Sequence, residues 1–452
     1  DAFRNRDLKN PGPLVLACPA TPSMRATRLI SVLTTLAGLS MPACAPLAGD
    51  TQNGTHGTPH KQSASSSQIE YGRYLTRAGD CASCHTAPGG KPFAGGLPIA
   101  TPFGVIYSPN ITPDPDTGIG KWSDADFYKA MHEGVTRSGH YLYPAFPYPW
   151  FTKVTPKDVQ AIKAYLDTLP PVHEKTRPPE FPWPLSWRKS MFGWNTLFFH
   201  AGTFKPDPGK SIQWNRGAYL VQGLAHCGAC HSSKNMLGAA KTSAGLGGGD
   251  AGDGWYAPDL ASDLRDGLGK WSQQEIVEYL KTGSNARTAA AGKMAQVVEN
   301  STRYLSDADL KAIAVYLKDM PPKESAPAGE ALNVNDPSVK RGAGLFIDNC
   351  AGCHMADGGG ISEVFPRFNG SAAIQAKNPD SVIHIVLDGA KVPATSSKPA
   401  GFTMPAFGWK FTDQQVADIV NYIRNTWGNR APLTNAGAVA AVRKTARQTG
   451  GK

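Results

Sequence analysis

An all-α chain of three tandem domains is what this sequence predicts, and three observations predict it. The pattern Cys-x-x-Cys-His occurs three times, as Cys81-Ala-Ser-Cys84-His85, Cys227-Gly-Ala-Cys230-His231 and Cys350-Ala-Gly-Cys353-His354. A short glycine-bearing helical stretch precedes each copy: Gly72-Arg-Tyr-Leu75, Gly217-Ala-Tyr-Leu220 and Gly342-Ala-Gly-Leu345. A stretch of helical period closes each unit, through Val159, Ile162, Tyr165 and Leu166, then Leu310, Ile313, Tyr316 and Leu317, then Val416, Ile419, Tyr422 and Ile423. A pattern repeated at this scale reports a repeated fold. The units span residues 69–175, 211–325 and 326–430, with an aromatic linker at 176–210 and a tail at 431–452.

The chain before the first unit reads differently. Residues 1–44 are expected to be an upstream extension followed by a signal peptide: Arg25 and Arg28 supply a basic start after Met24, and Leu29 to Met41 form an apolar stretch too short to span a bilayer. Met41-Pro-Ala-Cys44 resembles a bacterial lipobox, in which the cysteine is acylated. Ordinary cleavage after Ala43-Cys44-Ala45 is the competing reading. The lipid anchor at Cys44 is preferred, and either route exports the chain. Residues 45–68, rich in Ser, Thr, Gly and His, read as a flexible tether.

Within each unit the first-helix glycine allows a close crossing by the last helix, whose N-caps are expected at Thr155, Ser306 and Thr412. A middle helix repeats as well. Gly120-Lys-Trp122-Ser123-Asp-Ala-Asp-Phe127 matches Gly269-Lys-Trp271-Ser272-Gln-Gln-Glu-Ile276, with Ser123 and Ser272 as N-caps. The third unit keeps the helix alone, over Asn378 to Leu387, so the first two units are the closer relatives. Trp122 and Trp271 fit core packing and the neighbourhood of a cofactor about equally.

The repeated cysteine pattern carries the chemistry. Two thiols at this spacing add to the two vinyl groups of a haem, and the adjacent histidine becomes the proximal iron ligand. The reading is therefore three covalently bound haem c groups, attached at Cys81, Cys84, Cys227, Cys230, Cys350 and Cys353, with iron on His85, His231 and His354. A structural zinc would need four ligands, and each cysteine pair here stands without a second pair or a spaced histidine pair. Six of the eight cysteines are consumed, leaving Cys18 and Cys44 ahead of the first unit.

The sixth iron ligand decides between electron transfer and small-molecule binding. Met404, in Thr403-Met404-Pro405, precedes the last helix of unit three, and Met294 occupies the corresponding loop of unit two. Met236, Met320 and Met355 are assigned to gap filling. Unit one departs from the pattern, because its loop, Tyr143-Pro-Ala-Phe146-Pro-Tyr148, has a phenylalanine at that place. Met131, opposite Leu280 when the middle helices are aligned, is the preferred ligand there. His132, His140 and an open iron remain alternatives.

A formal net charge of +10 and a mean hydropathy of −0.31 describe a polar globular chain. Residues 1–44 carry five Lys/Arg and two Asp/Glu, so the remainder holds about +7 before the acidic propionates of haem are counted. That balance gives no reason to expect nucleic acid. After the leader, no stretch approaches the roughly 18 apolar residues of a membrane span.

The combination of three haem motifs with Ser108-Pro109-Asn110-Ile-Thr112-Pro, Gly118-Ile-Gly-Lys-Trp122-Ser and His140-Tyr-Leu-Tyr-Pro-Ala-Phe146-Pro-Tyr148 resembles the three-haem cytochrome c subunits of membrane-bound bacterial dehydrogenases. That family includes alcohol, gluconate, sorbitol, fructose and aldehyde dehydrogenases, and the likeness covers residues 69–428. It implies three class I cytochrome c-like domains. It also implies electron flow from a molybdenum-, PQQ- or flavin-dependent catalytic subunit, with a small subunit as a further partner, to ubiquinone in the cytoplasmic membrane. The place implied is the periplasmic face, and the chain itself carries no catalytic residues. Phenylalanine in the loop resembles cytochromes that serve molybdenum hydroxylase-type dehydrogenases such as aldehyde dehydrogenase. A haem enzyme that reduces peroxide or a similar small molecule at an open iron in unit one is the alternative. The linker aromatics Phe181, Trp183, Trp187, Phe192, Trp194, Phe198, Phe199 and Phe204 suit linker packing first, and a membrane or quinone contact second.

Overall fold

Each unit is organised by the crossing of its first and last helices, and one glycine sets the distance of that crossing. A computed structural model of the chain describes residues 64–241, 245–322, 335–396, 398–399 and 401–450. The expected leader, Cys18, Cys44 and most of the tether lie outside these residues.

Domain 1 contains α1 (Ser66–Ala78), α2 (Cys81–His85), the hairpin β1 (Pro98–Thr101) and β2 (Gly104–Tyr107), then α3 (Asp124–Glu133), α4 (Tyr148–Phe151) and α5 (Pro156–Leu166). The linker forms α6 (Met191–Phe198). Domain 2 repeats the plan with α7 (Ile212–Tyr219), α8 (Gly228–His231), the hairpin β3 (Gly249–Gly252) and β4 (Trp255–Ala257), α9 (Gln273–Thr282), α10 (Gly292–Asn300) and α11 (Asp307–Asp319). Domain 3 has α12 (Pro337–Asn349), α13 (Ala351–His354), α14 (Ala372–Gln375), α15 (Asp380–Asp388), the pair β5 (Ala390–Lys391) and β6 (Thr403–Met404), α16 (Asp413–Asn425) and α17 (Ala436–Gly450).

A Cβ placed on Gly72 would lie 1.9 Å from the Ala161 carbonyl oxygen of α5. The same addition at Gly217 or Gly342 would come within 2.0 Å of the carbonyl of Ala312 or Asp418. The three glycines therefore serve one purpose, letting backbone meet backbone. Thr155, Ser306 and Thr412 accept from the N–H groups of Asp158, Asp309 and Gln415, as expected of N-caps. Ser123 and Ser272 form capping boxes with Asp126 and Glu275, and α3 and α9 both end at a left-handed glycine, Gly134 (φ 67°) and Gly283 (φ 82°).

The framework is helical, with three antiparallel two-stranded hairpins added to it. In the first two domains the hairpin falls between the haem motif and the middle helix, in stretches punctuated by Gly and Pro that carry no helical period. The closing segment also has structure, since Val439 and Val442 of α17 are buried and Arg443 bonds Asp413 and the carbonyls of Gly408 and Phe411. In the linker, Met191 and Trp194 are buried with Tyr143 and Tyr148, while Trp183, Trp187 and Phe192 are 83%, 57% and 61% exposed. Those aromatics divide between packing and open surface.

Domains 1 and 2 lock together reciprocally. Tyr74 of α1 donates to Asp309 at 2.6 Å and accepts from the N–H of Ser306 at 3.2 Å. Tyr219 of α7 donates to Asp158 at 2.5 Å and accepts from the N–H of Thr155 at 3.2 Å. Each tyrosine thus supplements the N-cap of the other domain's last helix.

Candidate haem sites

The three Cys-x-x-Cys-His segments each make a short helical turn, and in each the histidine is tied from one side. His85 Nδ1 lies 2.8 Å from the Pro109 carbonyl oxygen, His231 Nδ1 2.7 Å from that of Pro258, and His354 Nδ1 3.1 Å from that of Pro366. A carbonyl only accepts, so Nδ1 carries the proton and Nε2 keeps its lone pair for a metal. The same contact fixes the ring's orientation, the usual work of a group behind a metal-bound histidine. Burial lowers the pKa of all three imidazoles, against a smaller opposing effect of the proline carbonyls, which favours the neutral form that ligation requires.

The six motif thiols are free rather than paired as disulfides. Burial pushes Cys81 and Cys227 up to about 12, and Cys84 and Cys350 up to about 11. Each motif holds two thiols beside one imidazole with a free nitrogen, and Cys84 and Cys353 are the thiols open to solvent. This donor set fits a covalently attached haem c, with two thioether bonds and a proximal nitrogen at each site.

The two first sites also reach into each other's domain. Asn300, at the end of α10, donates to the Ser83 hydroxyl between Cys81 and Cys84, at 2.9 Å. Reciprocally, a Cβ on Gly228, within the second motif, would lie 2.6 Å from Nε1 of Trp150 in domain 1. The residues ahead of the first cysteines, Asp80 (φ 53°) and His226 (φ 38°), take left-handed backbone that turns the chain into the motif. Burial pushes the Asp80 carboxyl up to about 7, and it accepts from the Ser83 hydroxyl at 2.6 Å.

Of the methionines singled out, Met404 lies in β6, paired with Ala390, and Met294 lies in the first turn of α10 instead of a loop. Met131 is on the inward face of α3, 5% exposed, in the cluster that contains Leu75, Phe127 and Phe151. Phe146 packs on Phe151 with ring centroids 5.5 Å apart. His132 stacks on Tyr128 and directs Nδ1 to the Thr152 hydroxyl at 3.4 Å, whereas His140 is exposed in a turn. Sequence reasoning passed over Pro258, Pro366, Trp150 and Asn300. For the prolines the signal was available, since Pro109 sits in a quoted motif and Pro258 follows the matching hairpin of unit two.

Three helical domains, each offering two thiols and a carbonyl-tethered imidazole, define a multihaem c-type electron carrier. The family model for cytochrome c matches residues 69–170, 215–321 and 339–427, and the chain belongs to that family. It is 44% identical over 404 residues to the gluconate 2-dehydrogenase cytochrome c subunit of Pantoea cypripedii, covering 84% of this chain and 90% of the relative. The cytochrome c subunit of the quinone alcohol dehydrogenase of Gluconobacter oxydans is 40% identical over 398 residues, 84% of this chain and 82% of its own length. The fructose dehydrogenase cytochrome subunit of Gluconobacter japonicus is 36% identical over 444 residues, 91% and 90% of the two chains.

Proposed function

We propose that this chain relays electrons from the catalytic subunit of a membrane-bound dehydrogenase to ubiquinone, at the periplasmic face of the cytoplasmic membrane. One observation carries the reading: the histidine tether occurs three times in a chain whose relatives over most of its length are cytochrome subunits of dehydrogenases. Haem c supplies reversible one-electron chemistry when bound. The protein's part is to hold each group covalently through Cys81 and Cys84, Cys227 and Cys230, and Cys350 and Cys353. His85, His231 and His354 serve as proximal ligands, oriented by proline carbonyls.

On the distal side Met131, Met294 and Met404 would supply the ligands. Burial of Met131 supports its assignment, as does the engagement of His132 with Thr152 and the exposure of His140. Phe146, which donates nothing to iron, occupies apolar volume beside Phe151. A thioether at every sixth position would leave no open iron for peroxide chemistry, in keeping with relatives that are cytochrome subunits of dehydrogenases. The phenylalanine loop points to a molybdenum hydroxylase-type partner, and lipid on Cys44 provides the attachment to the membrane.

Purification of the tagged chain from membranes tests this reading. A dehydrogenase catalytic subunit should co-purify, and its substrate should reduce haem c that a ubiquinone analogue then re-oxidises. Isolation without a catalytic partner, or haem c indifferent to the quinone, would contradict it.

A further inference from the structure

The hairpin β3–β4 follows the second haem motif and lies between α15 of domain 3 and α10 of its own domain. On one side it meets α15 of domain 3. The Asp253 carbonyl at its tip lies 2.9 Å from His384 Nε2, and the backbone N–H and carbonyl of Tyr256 both bond the Ser381 hydroxyl at 2.8 Å. His384 is itself buried, and its Nδ1 lies 2.7 Å from Asp388. On the other side the hairpin meets α10, where the Asp253 carboxylate pairs with Lys293. Trp255 joins the two sides. Its ring stacks on His384 with centroids 4.6 Å apart and planes 12° from parallel. The far edge of the same indole abuts Gly292, so closely that a Cβ there would lie 2.3 Å from the ring. Gly292 opens α10 in left-handed backbone (φ 52°), two residues before Met294.

We propose that Trp255 is a positioning residue for the second haem site: stacked on His384 of domain 3 and packed on Gly292, it fixes the start of α10 and with it the thioether of Met294. The proposal rests on Met294 being the distal ligand. Its physical basis is that a flat, rigid ring transmits a position without rotamer freedom along its plane, while the glycine lets it approach the backbone directly. Domain 3 thereby supports the ligation of its neighbour. Counting back from Pro109 and Pro258, the equivalent of Trp255 in domain 1 is Ile106, in a hairpin that bridges to the linker at Glu180 and nears domain 2 at Gly238. Ile106 has no ring to stack, so support by a stacked indole is particular to the second site.

The test uses the full chain with its partner subunits and reads the weak near-infrared sulfur-to-iron charge-transfer band, the redox titration of each haem, and haem per chain. Met294→Leu should remove one haem's share of the band and lower one potential. Trp255→Ala should remove at least half of that share and lower the same potential, with haem content unchanged. Trp255→Phe, which keeps a stacking ring, should retain most of it, and Trp255→Ala should cause no further loss in a Met294→Leu background. His384→Phe provides a second stacking variant, expected to retain the band, should Trp255→Ala fail to accumulate; loss of the band in both phenylalanine variants would overturn the proposal. So would a full band in Trp255→Ala beside a reduced one in Met294→Leu. An unchanged band in Met294→Leu would overturn the ligand assignment instead, which separates the two failures.

Discussion

Tyr74 and Tyr219 occupy the same place in the first helices of domains 1 and 2, and each bonds the start of the other domain's last helix. Domain 3 has Gly344 at that place, with nothing within 4 Å of an added Cβ. All three domains keep the contact made within the domain, as Tyr71 to Asp158, Arg216 to Asp309 and Arg341 to Asp418. What separates them is the contact made outward. The first two sequences, which also share the Gly-Lys-Trp-Ser segment, pair as near-copies by exchanging equal bonds. Domain 3 attaches through unrelated residues: Trp255 on His384, the backbone carbonyl of Arg265 to the amide of Gln375, and Lys398 on Ser284. One interface uses matched residues of two similar domains, and the other uses residues without such counterparts.

The largest expected effect comes from removing the haem between these interfaces. Cys227→Ala with Cys230→Ala should lose one haem per chain by the pyridine haemochrome ratio and unfold domain 2, because the group forms much of its core. Next is the helix crossing. Gly217→Ala forces a methyl group onto a backbone carbonyl that cannot move as a side chain would, and should cost about 3 kcal/mol in denaturant unfolding. Gly342→Ala should do the same in domain 3. By contrast, Gly344→Ala, two residues away on the exposed side, should stabilise by about 0.5–1 kcal/mol, as alanine replaces glycine in an unobstructed helix.

The reciprocal tyrosines should give smaller and equal effects. Tyr74→Phe and Tyr219→Phe should each cost about 1–2 kcal/mol, by leaving a buried carboxylate and an N-cap N–H short of a partner. Burial, then the hydrogen bond to a carboxylate, raises the pKa of both phenols above the ordinary value. Since the folded-state pKa exceeds the unfolded value of about 10, their contribution is complete below that pH and is lost as pH rises beyond it. Thermal melts between neutral and strongly alkaline pH should show this decline, and it should flatten in the double phenylalanine variant.

Much of this was legible beforehand where the chemistry is local. A haem motif, an N-cap such as Ser272, and a glycine within a repeated helical stretch all declare themselves within a few residues. The hairpins were not legible, because strands of two to four residues carry no periodicity, and neither was the helical setting of Met294. The interdomain bonds were hidden for another reason. Tyr74 and Tyr219 stand in the repeated first-helix segments as ordinary helix residues, and only the assembled structure shows that their hydroxyls leave the domain. Trp255 and His384 are 129 positions apart, within the 131 that separate His384 from Asp253, and nothing in either neighbourhood announces the other.

With Met131, Met294 and Met404 as sixth ligands, all three haem irons should be six-coordinate and serve electron transfer alone. Magnetic circular dichroism of the fully reduced protein, normalised to haem content, tests it most directly. Low-spin signals from three haems per chain and no five-coordinate component are expected. A high-spin, five-coordinate signal amounting to one haem in three would contradict it, and would return domain 1 to the chemistry of small-molecule reduction.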